Sequence, residues 1–272
     1  MKNIYTWNAQ PAERNLTIAD MRSAKGKRQF VQTKVATAVE AAAAGEAGLD
    51  MLICTSPTVE DVRRGNDTLF LTATIAWQNF VTGDDILREA FKALAAGADA
   101  LLTARSLDVV SLLAKEDIPV MGHLGLVPRK STWTGGLRAV GKTANEAFEL
   151  YQQFRRLEDA GAALVEVEVV PAPVMAEISK RTGLITVSLG AGAGADVIHC
   201  FIEDLTGENP NPPRHARAFG DLARLHRQIE TERLAALKAY REAVRDGSYP
   251  ADGEMVTIDE DELSAFLDQL ES

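Results

Sequence analysis

Short apolar runs alternating with helix-length stretches recur along the first 205 residues: FVQT (30–33), DMLICTS (50–56), TLFLTATIAW (68–77), ADALLT (98–103), IPVMGHLGL (118–126), ALVEVEVVP (163–171), LITVSLGAG (184–192) and DVIHCFIED (196–204). Between them lie an Ala-rich run at 35–47, TVEDVRRGND, DILREAFKALAAG, LDVVSLLAKED, ANEAFELYQQFRRLEDAG and PVMAEISKRTG. Strands separated by helices of ten or more residues must run parallel, because each crossover returns the chain to the same edge. Three of the helical stretches end alike, in AGLD (47–50), AGAD (96–99) and AGAA (160–163), which puts a glycine where a helix closes in a left-handed residue. About eight such units predict an α/β fold closed as a (β/α)8 TIM barrel, with extra C-terminal helices; an open, doubly wound sheet is the alternative. The 272 residues suit one barrel, which takes about 250.

The character changes near residue 205. We expect residues 1–205 to form the barrel with its N-terminal segment, and 206–272 a connector and helices packing on the barrel or on a neighbouring subunit. GENPNPPRHARAF breaks the chain with prolines, 219–246 reads as a charged amphipathic helix, and a short helical pattern starts near Asp259 in an acidic tail. The formal charge of -10 argues against a general nucleic-acid binder, yet leaves room for a small anion held by one or two local cations. Cys54 and Cys200 have no CxxC spacing, so zinc and disulfide frameworks are unsupported and a reducing compartment is expected. The start MKNIYTWNAQPAERN lacks the apolar core of a signal peptide. No apolar run reaches the ~20 residues that span a bilayer. A soluble cytoplasmic protein with no membrane partner is the expectation.

IPVMGHLGLVP (118–128) is close to the motif IPVMGHIGLTPQ, and on it the chain resembles the ketopantoate hydroxymethyltransferase family. TIADMRSAKGKRQFV, EAGLDMLI, AGADALL, AGAALVEVEVVP, SLGAGAGAD and DGSYP follow in the family's order and cover most of residues 17–250. The resemblance implies a barrel of the phosphoenolpyruvate/pyruvate (isocitrate-lyase-like) superfamily and a homo-oligomer. It further implies transfer of a hydroxymethyl group from methylenetetrahydrofolate to α-ketoisovalerate, a step of pantothenate biosynthesis, assisted by Mg²⁺.

The resemblance fails at the metal. The family's two aspartate ligands correspond here to Thr55 in CTS, with Ser56 kept beside it, and to Thr74 in ATIAW. Its KLEGG, which supplies a substrate lysine and a metal-side glutamate, reads LTARS, with Leu102 and Ala104 at those positions. The stretch between CTS and the next strand is also shorter than the family's. Neutral threonines and an alanine cannot balance a divalent cation, so Mg²⁺ is not expected and no metal ligand is assigned. Methylenetetrahydrofolate stays a candidate co-substrate and a small 2-oxo acid the expected partner.

The other half of the site survives. Glu168 matches the family's catalytic glutamate, the expected base; His123, Gly190 and Gly192 match as well. Glu168 lies in the alternation VEVEV, which in a barrel covered on both faces makes Glu166 and Glu168 costly unless paired or liganded. His123 is either a hydrogen-bonded residue of the barrel end or a proton shuttle. The two glycines either admit close backbone approach or cradle an anion. Two cations appear where the family has none: Arg105, which could fork a carboxylate, and Lys34, which could bind an anion or form a Schiff base. Rim ion pairs are the alternative for both.

Three functions fit. One is aldol-type carbon–carbon bond formation or cleavage on a small 2-oxo acid, with Glu168 as base and Thr55, Ser56, Thr74, Arg105, His123, Lys34, Gly190 and Gly192 around the substrate. The second is a different lyase or hydrolase on the same barrel. The third is a non-catalytic paralogue that binds a metabolite.

Overall fold

A computed structural model describes residues 1–76 and 78–271. Trp77, the last residue of the run TLFLTATIAW, lies outside the described residues, as does Ser272. An antiparallel hairpin comes first, β1 (Lys2–Tyr5) with β2 (Pro11–Arg14). Then come β3 (Phe30–Lys34), β4 (Met51–Thr55), β5 (Phe70–Thr74), β6 (Ala100–Leu102), β7 (Val120–Gly125), β8 (Leu164–Glu168), β9 (Ile185–Leu189) and β10 (Val197–Phe201). These eight close into a barrel in the order β10-β3-β4-β5-β6-β7-β8-β9 with every pair parallel. The (β/α)8 expectation holds, and the open sheet is excluded by the β10–β3 pairing. The N-terminal hairpin had no counterpart in the sequence reading.

The period of two along each strand divides the core into two layers. Phe30, Met51, Phe70, Met121, Leu164, Ile185 and Val197 fill the barrel interior. Their strand neighbours, among them Leu52, Leu71, Leu101, Val165 and Val167, pack outward under the helices with Leu113, Leu150 and Phe154. The three predicted helix stops carry φ of +77° at Gly48, +112° at Gly97 and +92° at Gly161.

At the N-terminal end of the barrel, a buried cluster ties the hairpin to the strands. Asp99 accepts from Arg14 Nε at 2.8 and 3.0 Å, from Arg63 at 2.6 Å and from the Leu71 amide at 2.9 Å. Cys54 points into the sheet–helix layer, and burial pushes its thiol up to about 11. The thiolate is the reactive species. Iodoacetamide at pH 8 is therefore expected to modify half-buried Cys200 in the native protein while sparing Cys54, as peptide mapping would read.

The chain divides into two compact units, Met1–Phe219 and Gly220–Ser272. The second holds a helix at Leu222–Asp246, capped by Asp221 and ended at Gly247 with φ +78°, and another at Glu260–Leu270, capped by Asp259. Among the described residues, no helix is long and apolar enough to cross a membrane.

Candidate active site

Several strands carry polar residues into the barrel on the same phase as its apolar lining, Thr72 after Phe70 on β5 among them. On β8, Glu166 and Glu168 follow Leu164; on β7, His123 follows Met121; on β3, Gln32 and Lys34 follow Phe30; on β10, His199 follows Val197. Each row begins apolar and turns polar toward the strand's C-terminal end, where barrel enzymes carry out their chemistry.

Register places His123 opposite Glu166 and Gly125 opposite Glu168. The imidazole bridges both carboxylates. Its Nδ1 lies 3.3 Å from Glu166 Oε1, and its Nε2 lies 3.1 Å from Glu168 Oε2 and 2.9 Å from the Leu126 carbonyl. All three side chains are largely buried, with 9% of His123, 9% of Glu166 and 15% of Glu168 exposed. This answers the cost of two carboxylates on one covered strand: a shared cation compensates both. Burial opposes the imidazolium. The Glu168 hydrogen bond and the charges of Glu166 and Glu168 outweigh it, and His123 titrates above an ordinary imidazole. His199, whose Nε2 is 4.0 Å from Glu166 Oε2, goes the other way, because burial exceeds the pull of that one carboxylate.

Among the described residues, buried polar atoms without hydrogen-bond partners are both ends of the amide of Gln32, which is register partner of His199, the Thr72 hydroxyl and His199 Nδ1. Together they make a polar floor able to bind water or a small polar group.

The backbone around Glu168 is clamped. Gly125 has φ +83°, and a Cβ there would stand 2.3 Å from the Glu168 carbonyl. The next amide, Leu126, donates to that carbonyl at 2.8 Å. This is why the strand ends on MGHLGL: glycine lets β7 close over β8. Val169, directly after Glu168, sits at φ +49°. For a β-branched residue that conformation costs on the order of 1–3 kcal/mol and occurs where surroundings enforce it. Here the Val169 amide donates to Leu189 O at 2.9 Å and its carbonyl accepts from the Val140 amide at 3.2 Å.

The other expected residues are distributed unevenly. Thr55 and Thr74 are register partners at the ends of β4 and β5. The Thr55 hydroxyl lies 3.2 Å from that of Thr58. Lys34 ends β3, with Nζ 3.9 Å from Glu203 Oε1 and 5.1 Å from the Phe201 ring centre. It is therefore engaged in a long ion pair at the rim. Ser56 is buried and donates to Glu89 Oε1 at 2.5 Å, so its hydroxyl serves the helix layer instead of the barrel mouth. Arg105 donates to the carbonyls of Phe80 at 2.7 Å and Val81 at 3.4 Å, bracing the segment after β5. Gly190 has φ +72°, and a Cβ there would come within 2.6 Å of the His215 ring. Gly192 has φ +85° and faces Ala172, whose Cβ would be 2.4 Å away. Packing accounts for both glycines.

At the ends of β4 and β5 the side-chain donors are the Thr55 and Thr74 hydroxyls, where the resemblance would set metal ligands, while Glu166 and Glu168 turn oxygens toward His123. Among the described residues, no group of three or more His, Cys, Asp or Glu could hold a metal ion. Mg²⁺ demands near-octahedral oxygen ligation with carboxylate charge, and this donor set does not fit it.

Sequence reasoning saw Glu166 only as a neighbour in the alternation and missed Gln32, Thr72 and His199. The signal was there. Each is a polar residue on the inward phase of an otherwise apolar strand.

Residues 50–252 match the family model described as ketopantoate hydroxymethyltransferase. The chain belongs to this family. The 3-methyl-2-oxobutanoate hydroxymethyltransferase of Pyrobaculum islandicum is 31% identical over 263 residues, covering 88% of this chain and 97% of the relative. That of Nitratidesulfovibrio vulgaris is 29% identical over 285 residues, covering 95% of this chain and 91% of the relative. Among solved structures, 2,3-dimethylmalate lyase, a PEP mutase/isocitrate lyase superfamily member, aligns with a TM-score of 0.50 at 16% identity, over 88% of this chain and 91% of that one. That likeness speaks for the barrel alone.

Proposed function

We propose that the protein is a ketopantoate hydroxymethyltransferase-like enzyme that enolises a small 2-oxo acid and forms or cleaves a carbon–carbon bond beside its keto group, without the family's Mg²⁺. The observation that carries this reading is the state of Glu168. One carboxylate oxygen, Oε2, is gripped by His123, and Oε1 has no hydrogen-bond partner among the described residues. A carboxylate with one oxygen fixed and one open at a barrel mouth is oriented as a general base.

In the forward direction, Glu168 takes a proton from C3 of the 2-oxo acid, and the electron pair of that C–H bond becomes the enolate. The enolate carbon then attacks the methylene carbon of a one-carbon donor, for which methylenetetrahydrofolate is the family's; the electrons of the C–N bonds to that carbon pass to nitrogen, water supplies the hydroxyl, and tetrahydrofolate leaves with the protons. Lys34, on the rim of β3 in a long pair with Glu203, is the cation best placed to exchange partners for the substrate carboxylate. The apolar residues on the helix Leu222–Asp246, including Leu225, Ile229, Leu237 and Tyr240, support the homo-oligomer that the resemblance implies.

The test is deuterium exchange at C3 of 3-methyl-2-oxobutanoate, followed by proton NMR in D₂O. Exchange in EDTA at a rate within about twofold of that in Mg²⁺ is expected. Exchange that requires Mg²⁺ would overturn the metal-free part of the proposal. None under either condition would overturn the choice of substrate.

A further inference from the structure

The inference concerns Glu166, which the mechanism above does not use, and it rests on the reading of Glu168 as the base. We propose that Glu166 is a positioning residue: its carboxylate, 3.3 Å from His123 Nδ1, favours a proton on both ring nitrogens, so that Nε2–H stays available to hold Glu168 Oε2, 3.1 Å away.

An imidazole with one proton can donate to only one of its two neighbours. Were His123 neutral, its proton would go either to Glu166 or to Glu168, and the other carboxylate would face a lone pair. At 3.3 and 3.1 Å the ring lies within reach of both carboxylates at once, which favours the doubly protonated form. Only two carboxylates are needed to make that form stable in a buried place, and both come from alternate positions of β8.

Among the described residues, Arg105, Lys130 and Arg156 line a cavity that His123 also borders, but none of them forms an ion pair with Glu166 or Glu168. The turn after β7 contributes the Leu126 carbonyl, a second acceptor for Nε2–H. β6 contributes apolar Leu102 on its inward side. His199 on β10 lies beyond Glu166 at 4.0 Å, and burial disfavours its charged form. Lys34 on β3 and Glu203 act on His199 and do not figure among the influences on His123. Glu168 ends β8, and Glu166 lies two residues before it, farther from the strand's C-terminal end.

The sign of the pH effect follows. His123 is raised, so its charge is kept to a higher pH than an ordinary imidazole keeps it and is lost as pH climbs through its midpoint. Removing Glu166 leaves burial opposed by one carboxylate instead of two, and the midpoint must fall.

The experiment uses full-length protein with labelled histidine, in which four imidazoles titrate by NMR. In the wild type, His123, assigned by its loss in His123→Asn, should titrate above an ordinary imidazole. In Glu166→Gln it should fall by at least one pH unit. kcat for C3 exchange should drop at least tenfold, with KM within about twofold, and the alkaline limb of the rate profile should move down with the histidine. Glu166→Asp should recover part of both. A wild-type His123 that is neutral at pH 7 overturns the proposal whether or not the Gln variant folds. So does an unchanged His123 midpoint in that variant. A high wild-type midpoint that falls in the variant, in a protein showing no exchange, upholds the charge assignment and overturns the function proposed above.

Discussion

Glu168→Gln is expected to lower C3 exchange of 3-methyl-2-oxobutanoate by roughly 10²–10⁴-fold, the range for losing a positioned general base. The amide keeps the shape of the carboxylate and can still accept from His123 Nε2, so the fold and substrate affinity should change little. Circular dichroism, thermal unfolding and a competition measurement of KM would separate loss of chemistry from loss of structure. The change also removes one of the two charges that hold the His123 proton, so its midpoint falls too. A Gln variant that exchanges at more than a tenth of the wild-type rate would remove Glu168 from the role of base.

Asp99→Ala should have the largest effect on stability and none directly on chemistry. Asp99 lies between Arg14 and Arg63, with side-chain exposures of 11%, 5% and 10% respectively, and it also takes the Leu71 amide. Deleting it strands two guanidinium groups and an amide in a nearly dry place. Breaking such a buried pair from one side costs about 3–5 kcal/mol. In a chain of this size that lowers Tm by roughly 10 °C. Arg14 belongs to the N-terminal hairpin, so native-state hydrogen exchange should show β1 and β2 loosening before the barrel. A Tm within 2–3 °C of wild type, on the order of 1 kcal/mol, would mean that the arginines find other partners, and the cluster would lose its assigned weight.

Eight barrel strands were legible because two simple periodicities coincide. Short apolar runs recur between helix-length stretches, and glycines such as Gly48, Gly97 and Gly161 mark where one helix ends and the next strand begins. The hairpin was not legible. Its strands are four residues each and mostly exposed, and the one buried residue, Arg14, is charged, so KNIY and PAER carry no apolar buried face to read. At the site, motif matching found Glu168 and His123. It also put Ser56 and Gly192 among the substrate contacts, and Arg105 joined them as a cation where the family has none. Their engagements depend on partners far away in sequence: Glu89, the carbonyls of Phe80 and Val81, and Ala172. No local pattern reports such pairings. Glu166 shows the converse. Its two-residue spacing from Glu168 was plain, but its meaning waited on the register that sets His123 between them.

That bridging imidazole also restricts which one-letter changes the protein can accept. Exchange His123 for an apolar residue, and two carboxylates two positions apart on one strand are left facing each other across a dry gap, so one must take up a proton. Exchange either glutamate for an apolar residue, and burial regains ground against the imidazolium. Positions 123, 166 and 168 therefore behave as one inherited unit. A lineage that lost one member would meet a penalty at the other two, and the cheapest routes away from this arrangement change more than one residue together.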